Sequence, residues 1–178
     1  MKLVIFKDFC EELESLWSQI TESSDLNVFQ TYEWLKTWHQ TVGKPSLEMH
    51  LWIAVISDIE DQPKIIFPFG IRNRYGLRVL EMLGGSQCDY QGPLIDKSWL
   101  LNETKVKCAW ELISGELPRY DVRHFNKLRV NWAGVDNPIL NIWESFDQGQ
   151  SYSSKLPQTF HEFQLGQRKK FRQDSKRQ

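Results

Sequence analysis

The first third of the chain combines one short apolar run with apolar residues at helical spacing. Residues 3–6 predict a strand, and Asp8 followed by Glu11 has the pattern of a helix N-cap with its capping-box partner. A second predicted helix begins near Thr31 and ends at Gly43 and Pro45, which are typical stop signals. The apolar residues of the first helix recur every three or four positions: Phe9, Leu13, Leu16, Trp17 and Ile20.

The middle of the chain changes to the pattern of strands. Residues 51–56 form a nearly continuous apolar run, and a polar turn at 58–63 separates it from a second run at 64–71, which predicts a hairpin. Pro68 cannot donate a ladder hydrogen bond, so we expect an edge strand or a bulge there. A third strand over 77–83 completes an antiparallel meander.

The last part of the chain returns to mixed patterns. Asp96 is a predicted N-cap for a helix over 98–113, a strand is expected over 121–130, and Asn137 begins a short helix. Residues 148–156 are expected to form a loop, and 159–178 a helix with a thin apolar stripe. Together the elements predict an α/β (α+β) fold, a mixed sheet with an antiparallel meander flanked by helices.

Composition narrows the class of protein. The 178 residues suit one domain with a short extension, and 40% hydrophobic and 25% charged residues exclude collagen, a coiled coil and a wholly disordered chain. The net charge is −1, yet residues 167–178 carry six basic residues and one acidic residue. This basic tail indicates a solvated helix, and contact with nucleic acid is the less favoured alternative.

The chain is expected to lie in the cytoplasm. The apolar run between Lys2 and Lys7 has only four residues, too few for the core of a signal peptide, and no later apolar run is long enough for a membrane helix. Cys10, Cys88 and Cys108 are odd in number and widely spaced, so we expect three reduced thiols.

The histidines and cysteines give little indication of catalysis or metal binding. The four histidines show no pair at i, i+3 or i+4, so no metal site is predicted. Cys108 and His124 would form a nucleophile and base only if the fold brought them together. Phosphate-binding and serine-hydrolase motifs are absent from the sequence, and no catalytic residue is assigned.

Two neighbouring segments after the third strand are candidate binding elements. Gly84-Gly85-Ser86 either lets backbone N–H groups approach a phosphate or forms a turn that needs positive φ. Asp89, Tyr90 and Gln91 place a carboxylate, a phenol and an amide on one loop, a set suited to a sugar hydroxyl or an amine. We predict these three as substrate-binding residues, with a simple Asp89-capped turn as the alternative.

The eight tryptophans allow two interpretations. Exposed rings would stack on sugars or single-stranded bases, as in a carbohydrate-binding module. Five of them lie within apolar periodic segments, which favours core packing instead: Trp17, Trp34, Trp38, Trp52 and Trp110.

Four segments carry a resemblance to a known family. Residues 28–38 (VFQTYEWLKTW), 65–69 (IIFPF), 80–85 (LEMLGG) and 88–95 (CDYQGPLI) resemble, in order, the CelD-type acetyltransferases linked to cellulose and exopolysaccharide synthesis. These belong to the GNAT superfamily and are similar to FemAB-like aminoacyl transferases. The resemblance implies a GNAT-like sheet and transfer of an acyl group from acetyl-CoA or another acyl-CoA to an amine or hydroxyl acceptor, such as a saccharide.

The same resemblance implies a domain organisation. Members of this kind have two GNAT-like halves; residues 1–157 resemble the first, and residues 158–178 look like the basic helix that opens the second. The chain is therefore expected to be a fragment or truncated copy whose partner is the missing C-terminal half.

The donor site is not expected on this chain. The GNAT turn that holds the CoA pyrophosphate, Gln/Arg-x-x-Gly-x-Gly/Ala, is not found, since neither Arg72 nor Arg74 has glycine at the needed spacing. We expect no cofactor bound by this chain and no activity from it alone. The alternative is a non-catalytic carbohydrate-binding or interaction module.

Overall fold

The computed structural model describes residues 1–132, 134–147, 149 and 157–170. The chain divides into two compact units, Met1–Glu144 and Ser145–Gln178. A boundary between two GNAT-like halves near residue 157 stays a prediction. Within the first unit lie a mixed sheet and the helices on its two faces, so the mixed α and β fold class is confirmed.

A six-stranded sheet organises the first unit. The strands run in the order β1-β2-β3-β4-β6, and β5 pairs with β3. All neighbours are antiparallel except β4 and β6, which are parallel. The strands are β1 (Lys2–Phe6), β2 (His50–Ser57), β3 (Pro63–Arg74), β4 (Leu77–Met82), β5 (Leu94–Ile95) and β6 (Val122–His124). The predicted meander is thus confirmed as β2-β3-β4.

Helices and a small hairpin complete the described residues. The hairpin pairs β7 (Asn131–Trp132) with β8 (Val135–Asp136). The α-helices are α1 (Glu11–Ser23), α2 (Tyr32–Trp38), α3 (Lys44–Leu47), α4 (Lys97–Leu100), α5 (Glu103–Glu116) and α6 (Phe160–Gly166). A π-helix (His39–Gly43) joins α2 to α3, and 3₁₀ turns cover Val28–Gln30, Gly85–Gln87 and Pro138–Asn141.

The sheet of the first unit is buried on both faces. Successive strand residues point to opposite sides, so Phe67 and Phe69 pack towards α5 while Ile66 packs towards α1 and α2. Trp17 on α1 and Ile113 on α5 are among the side chains that close these two layers. Burial on both faces explains why β2 and β3 are nearly continuous apolar runs rather than alternating ones.

The predicted ends of the first two helices are wrong. α1 begins at Glu11 behind Cys10, which makes no side-chain cap, so Asp8 is not the N-cap. The second helix starts as predicted, with Thr31 accepting from the backbone N–H of Trp34, but it continues past Gly43. Pro45 lies in the first turn of α3, where a missing N–H costs no helical bond. The chain leaves the helix only after α3.

Pro68 lies inside the sheet, which contradicts the prediction of an edge strand or a bulge there. Its carbonyl oxygen accepts a hydrogen bond from the N–H of Leu83, which follows β4. In an antiparallel pair the nitrogen and the carbonyl oxygen of one residue point to the same neighbouring strand, so the Pro68 nitrogen also faces the side of β4. On that side β4 pairs from Phe69 onwards and β5 pairs at Ile65 and Ile66. The missing donor therefore falls in the gap between the two strands, where no ladder bond is lost.

The later elements agree in part with their predictions. Asp96 caps a helix as expected, but that helix ends at Leu100, and a second begins behind Asn102. The strand expected over 121–130 is limited to β6, whereas the short helix behind Asn137 is confirmed as a 3₁₀ turn. The helix expected over 159–178 begins as α6 but ends at Gly166, because the backbone of Gln167 is extended, so a single helix over this range is contradicted. Most of the loop expected over 148–156, and the tail from 171, lie outside the described residues.

Most of the tryptophans are core residues. Core packing is confirmed for Trp17, Trp38 and Trp110, whereas Trp34 and Trp52 are half-buried. The other three tryptophans are buried too: Trp99, Trp132 and Trp143. All three cysteines are free. Among the described residues no helix combines the length and apolar character needed to cross a membrane.

Candidate functional site

A cleft of about 360 Å³ opens in the first unit beside the end of β4. Apolar side chains of the segment from the π-helix to β2 line one side, among them Val42 and Met49. The turn Gly85–Gln87 and the segment after β6 line the other sides, and charged side chains of the sheet lie at its base. A concave surface that mixes apolar walls with a few polar groups is typical of small-molecule sites.

An ion pair between two neighbouring strands lies at the base of this cleft. Nε of Arg72 donates to Oε2 of Glu81 over 2.6 Å, and its Nη2 donates to Oε1 over 3.1 Å. Glu81 lies opposite Gly70 in the β3–β4 register, so Arg72 is its diagonal neighbour on the same face. Glu81 is buried at 9% exposure, and the bidentate pair compensates its charge.

His124 on β6 joins the pair from the other side. It lies opposite Glu81 in the parallel β4–β6 register, and its Nδ1 is 3.3 Å from Oε1 of Glu81. A carboxylate only accepts hydrogen bonds, so Nδ1 carries the proton, and the lone pair of the neutral ring is on Nε2. Arg72, Glu81 and His124 therefore form a chain in which a held carboxylate orients a histidine, the arrangement of a general base.

Asp121 fixes β6, and with it His124, against β4. Its carboxylate accepts from the backbone N–H of Arg78 over 2.8 Å and from Nε and Nη2 of the same residue over 3.2 and 3.0 Å. The side-chain hydrogen bonds from Arg78 lower the pKa of Asp121 from 3.8 to about 2. These bonds add to the β4–β6 pairing of a strand that has only three residues.

The depressed pKa of Asp121 predicts a loss of stability in acid. The carboxylate contributes its full stabilisation above pH 3.8, its ordinary pKa, and loses it as the pH falls towards about 2. Urea unfolding of the wild type and of Asp121→Asn between pH 5 and pH 2 measures this directly. We expect the wild type to be more stable at pH 5 and the difference to shrink towards pH 2. An equal difference at both pH values would contradict the assignment.

The loop predicted to bind substrate contributes one residue to the cleft. Gln91 lines it, and its Nε2 donates to the carbonyl oxygen of Gly85 over 2.7 Å. Asp89 is exposed, and Tyr90 is half-buried with the guanidinium of Arg129 5.9 Å from its ring centre. The structure thus brings Gln91, but neither Asp89 nor Tyr90, to the cleft lining; substrate binding by these three residues stays a prediction.

Packing explains Gly84 without a phosphate. Its φ is 109°, in the region that favours glycine, and a side chain there would overlap Sγ of Cys88. That thiol is buried, which raises its pKa, and it accepts a hydrogen bond from Nε1 of Trp34 over 3.2 Å. Of the two interpretations of Gly84-Gly85-Ser86, the turn is therefore the one with structural support.

The sequence analysis did not identify the charged side chains Arg72, Glu81 and His124 as a group. Glu81 is the one acidic residue in an otherwise mainly apolar predicted strand, which was the available signal for a functional carboxylate. Cys108 lies on α5, on the opposite face of the sheet from Glu81 and His124, so a Cys108–His124 pair is not formed. Within the described part of the chain, no group of three or more histidine, cysteine or acidic residues is placed to hold a metal.

The comparisons with known proteins do not identify a family for this chain. No family model, no curated protein and no solved structure matches it. The fold class rests on the strands and helices described above, and any function rests on the cleft. The resemblance to CelD-type acetyltransferases is therefore carried forward as a proposal.

Proposed function

We propose that the first unit is the acceptor-binding part of a CoA-dependent acyltransferase of the CelD and GNAT type. The acceptor is an amine or a hydroxyl, as on a saccharide used in polysaccharide synthesis. The observation that carries the proposal is the chain Arg72–Glu81–His124 at the base of a cleft. Acyl transfer to such an acceptor needs a base beside a polar binding site. In this proposal His124, oriented by Glu81 and Arg72, is that base.

The proposed reaction uses His124 as the base. Nε2 takes the proton of the acceptor O–H or N–H as that oxygen or nitrogen forms a bond to the acyl carbonyl carbon. The C–S bond of the thioester then breaks, and the departing thiolate takes the proton from Nε2 of His124 and leaves as free CoA, which returns the histidine to its neutral form. Glu81 accepts from Nδ1 and stabilises the charged imidazole, while Arg72 keeps Glu81 in place.

Under the proposal, the acyl donor is bound by a second GNAT-like half rather than by this chain. The transferase as a whole works in the cytoplasm on acyl-CoA. The chain alone neither binds acetyl-CoA tightly nor turns it over. The partner half brings the acyl donor to the cleft, where it meets His124, Glu81 and Arg72.

A carbohydrate-binding module is the alternative function. Such modules use exposed aromatic rings for stacking on sugars, and six of the eight tryptophans here are buried. The sheet-bound histidine and carboxylate have no role in that alternative. The geometry therefore favours the acceptor site of a transferase.

Sugar titrations followed by NMR test the proposal. We expect at least one of D-glucose, D-glucosamine and D-glucuronate to shift the amide signals of Gly85, Gln91 and Lys127 and the ring signals of His124. His124→Ala should weaken that binding about five- to tenfold, the value of one polar contact to a ligand. The matched control is His161→Ala, an exposed histidine of α6.

Three results would contradict the proposal. Sugar binding that leaves the cleft signals unchanged, or no binding by any of the three sugars, would exclude an acceptor site in the cleft. Calorimetric titration with acetyl-CoA tests the proposed position of the donor site. Tight binding of acetyl-CoA by this chain would contradict a donor site on the partner half.

A further inference from the structure

The cleft carries more positive than negative charge. Three cationic residues line it, Arg72, Arg74 and Lys127, against the single carboxylate of Glu81. Arg72 and Glu81 neutralise each other through their bidentate pair. Arg74 and Lys127 remain, and neither forms an ion pair with any residue that the structure describes.

Lys127 is held in position although it has no acidic partner. Its Nζ donates to the carbonyl oxygens of Cys88 over 2.6 Å and Ser86 over 3.2 Å. Its own carbonyl oxygen accepts from the backbone N–H of Gln91, and its backbone is left-handed with φ 55°. An ammonium group has three donors, so one remains for a ligand. The charge is thus fixed at the cleft beside the 3₁₀ turn without being compensated.

Arg72 keeps donors available as well. A guanidinium has five N–H donors, and the pair with Glu81 uses two of them, on Nε and Nη2. Arg74 follows two positions later on the same face of β3, with its guanidinium 5.5 Å from the ring centre of Tyr75. These cations and Lys127 surround one cleft that contains one carboxylate.

We infer that the acceptor bound in this cleft carries an acidic group, a carboxylate or a phosphate, in addition to its reacting hydroxyl or amine. Arg74 and Lys127 bind the acidic group, and His124 faces the reacting group. The inference rests on the proposed acceptor site and names its substrate class: sugar acids or phosphorylated sugars. An uncompensated pair of cations in a cleft selects for such ligands through charge-assisted hydrogen bonds.

A comparison of charged and neutral sugars tests the inference. The dissociation constants of D-glucuronate, D-glucose 6-phosphate and D-glucose are measured by NMR titration at low and high salt. We expect at least one anionic sugar to bind about tenfold more tightly than D-glucose, because charge-assisted hydrogen bonds replace neutral ones. Raising the salt concentration should reduce the advantage.

Charge-removing variants locate the effect. Lys127→Gln and Arg74→Gln should each weaken binding of the anionic sugar about tenfold, and by a larger factor than they weaken binding of D-glucose. Lys107→Gln removes the same charge from the exposed surface of α5 and should change neither the affinity for the anionic sugar nor the affinity for D-glucose.

The outcomes separate the inference from the proposed function. Equal affinity for D-glucose and both anionic sugars would overturn the inference and leave the acceptor site standing. Binding of none of these three sugars, and of no D-glucosamine either, would overturn both. Coenzyme A serves as a further probe: cleft binding by coenzyme A with no binding of an anionic sugar would assign the cations to the donor and overturn the inference.

Discussion

Glu81→Ala is expected to lower the free energy of unfolding by about 3–5 kcal/mol, the range for breaking one side of a buried ion pair. The side chains of Arg72 and Glu81 are 18% and 11% exposed, so little solvent is present to compensate the charge that remains. The variant leaves the guanidinium of Arg72 with no acidic partner, and His124 loses the acceptor of its Nδ1 proton. Urea unfolding measures the loss.

A double variant separates stability from function. Replacing both charges with apolar residues of similar size, Arg72→Met with Glu81→Leu, removes the uncompensated charge and should restore stability to within about 1 kcal/mol of the wild type. The same variant should weaken sugar binding about five- to tenfold, as His124→Ala does, because the histidine is no longer oriented. A single variant that costs less than about 1 kcal/mol, or a double variant that binds sugar as tightly as the wild type, would contradict this role of the Arg72–Glu81 pair.

Gly84→Ala is expected to cost roughly 3–5 kcal/mol, since it combines backbone strain with overpacking. Residue 84 has φ 109°, and an added β-carbon would overlap Sγ of the buried Cys88. The turn that follows carries Gly85 and Gln87 into the cleft lining, so the variant should also disturb the site. Thermal or urea unfolding, with NMR of the cleft signals, measures both effects.

Two comparisons isolate the two causes. Gly76→Ala has a similar φ of 79° with nothing within 4 Å of the added carbon, so it should show the strain alone, about 1 kcal/mol. Adding Cys88→Ala to Gly84→Ala removes the overlapping sulfur and should recover part of the loss. A Gly84 variant no less stable than the Gly76 variant would show that the packing against Cys88 is wrong.

Local patterns predicted the elements of this fold better than their ends. The meander, the helix start near Thr31, the Asp96 cap and the Asn137 turn each depend on a few neighbouring residues, and all are present. The ends depend on tertiary context. The sequence predicts a helix stop at Pro45. In the structure a π-helix directly precedes α3, and Pro45 lies in the first turn of α3.

The position of Pro68 shows the same limit for the sheet. A single strand pattern does not reveal that β4 and β5 divide one side of β3 between them. Only that division leaves a place for a residue with no N–H in the interior of a sheet.

The candidate site could be predicted only in part. Its turn and Gln91 lie on the loop that the sequence singled out, since glycines and polar side chains concentrate there. Glu81 and His124 are 43 residues apart and meet through a parallel strand pairing, which no local spacing encodes. For that reason the sequence pattern did not indicate the contact between Glu81 and His124.

Intermolecular NOEs between a bound sugar and the His124 ring decide whether the sugar lies in the cleft beside the proposed base. The spectrum is recorded on the full chain with whichever of the titrated sugars binds most tightly. Our account predicts NOEs from sugar protons to the His124 ring and to the side-chain amide of Gln91. NOEs confined to residues outside the cleft would contradict it.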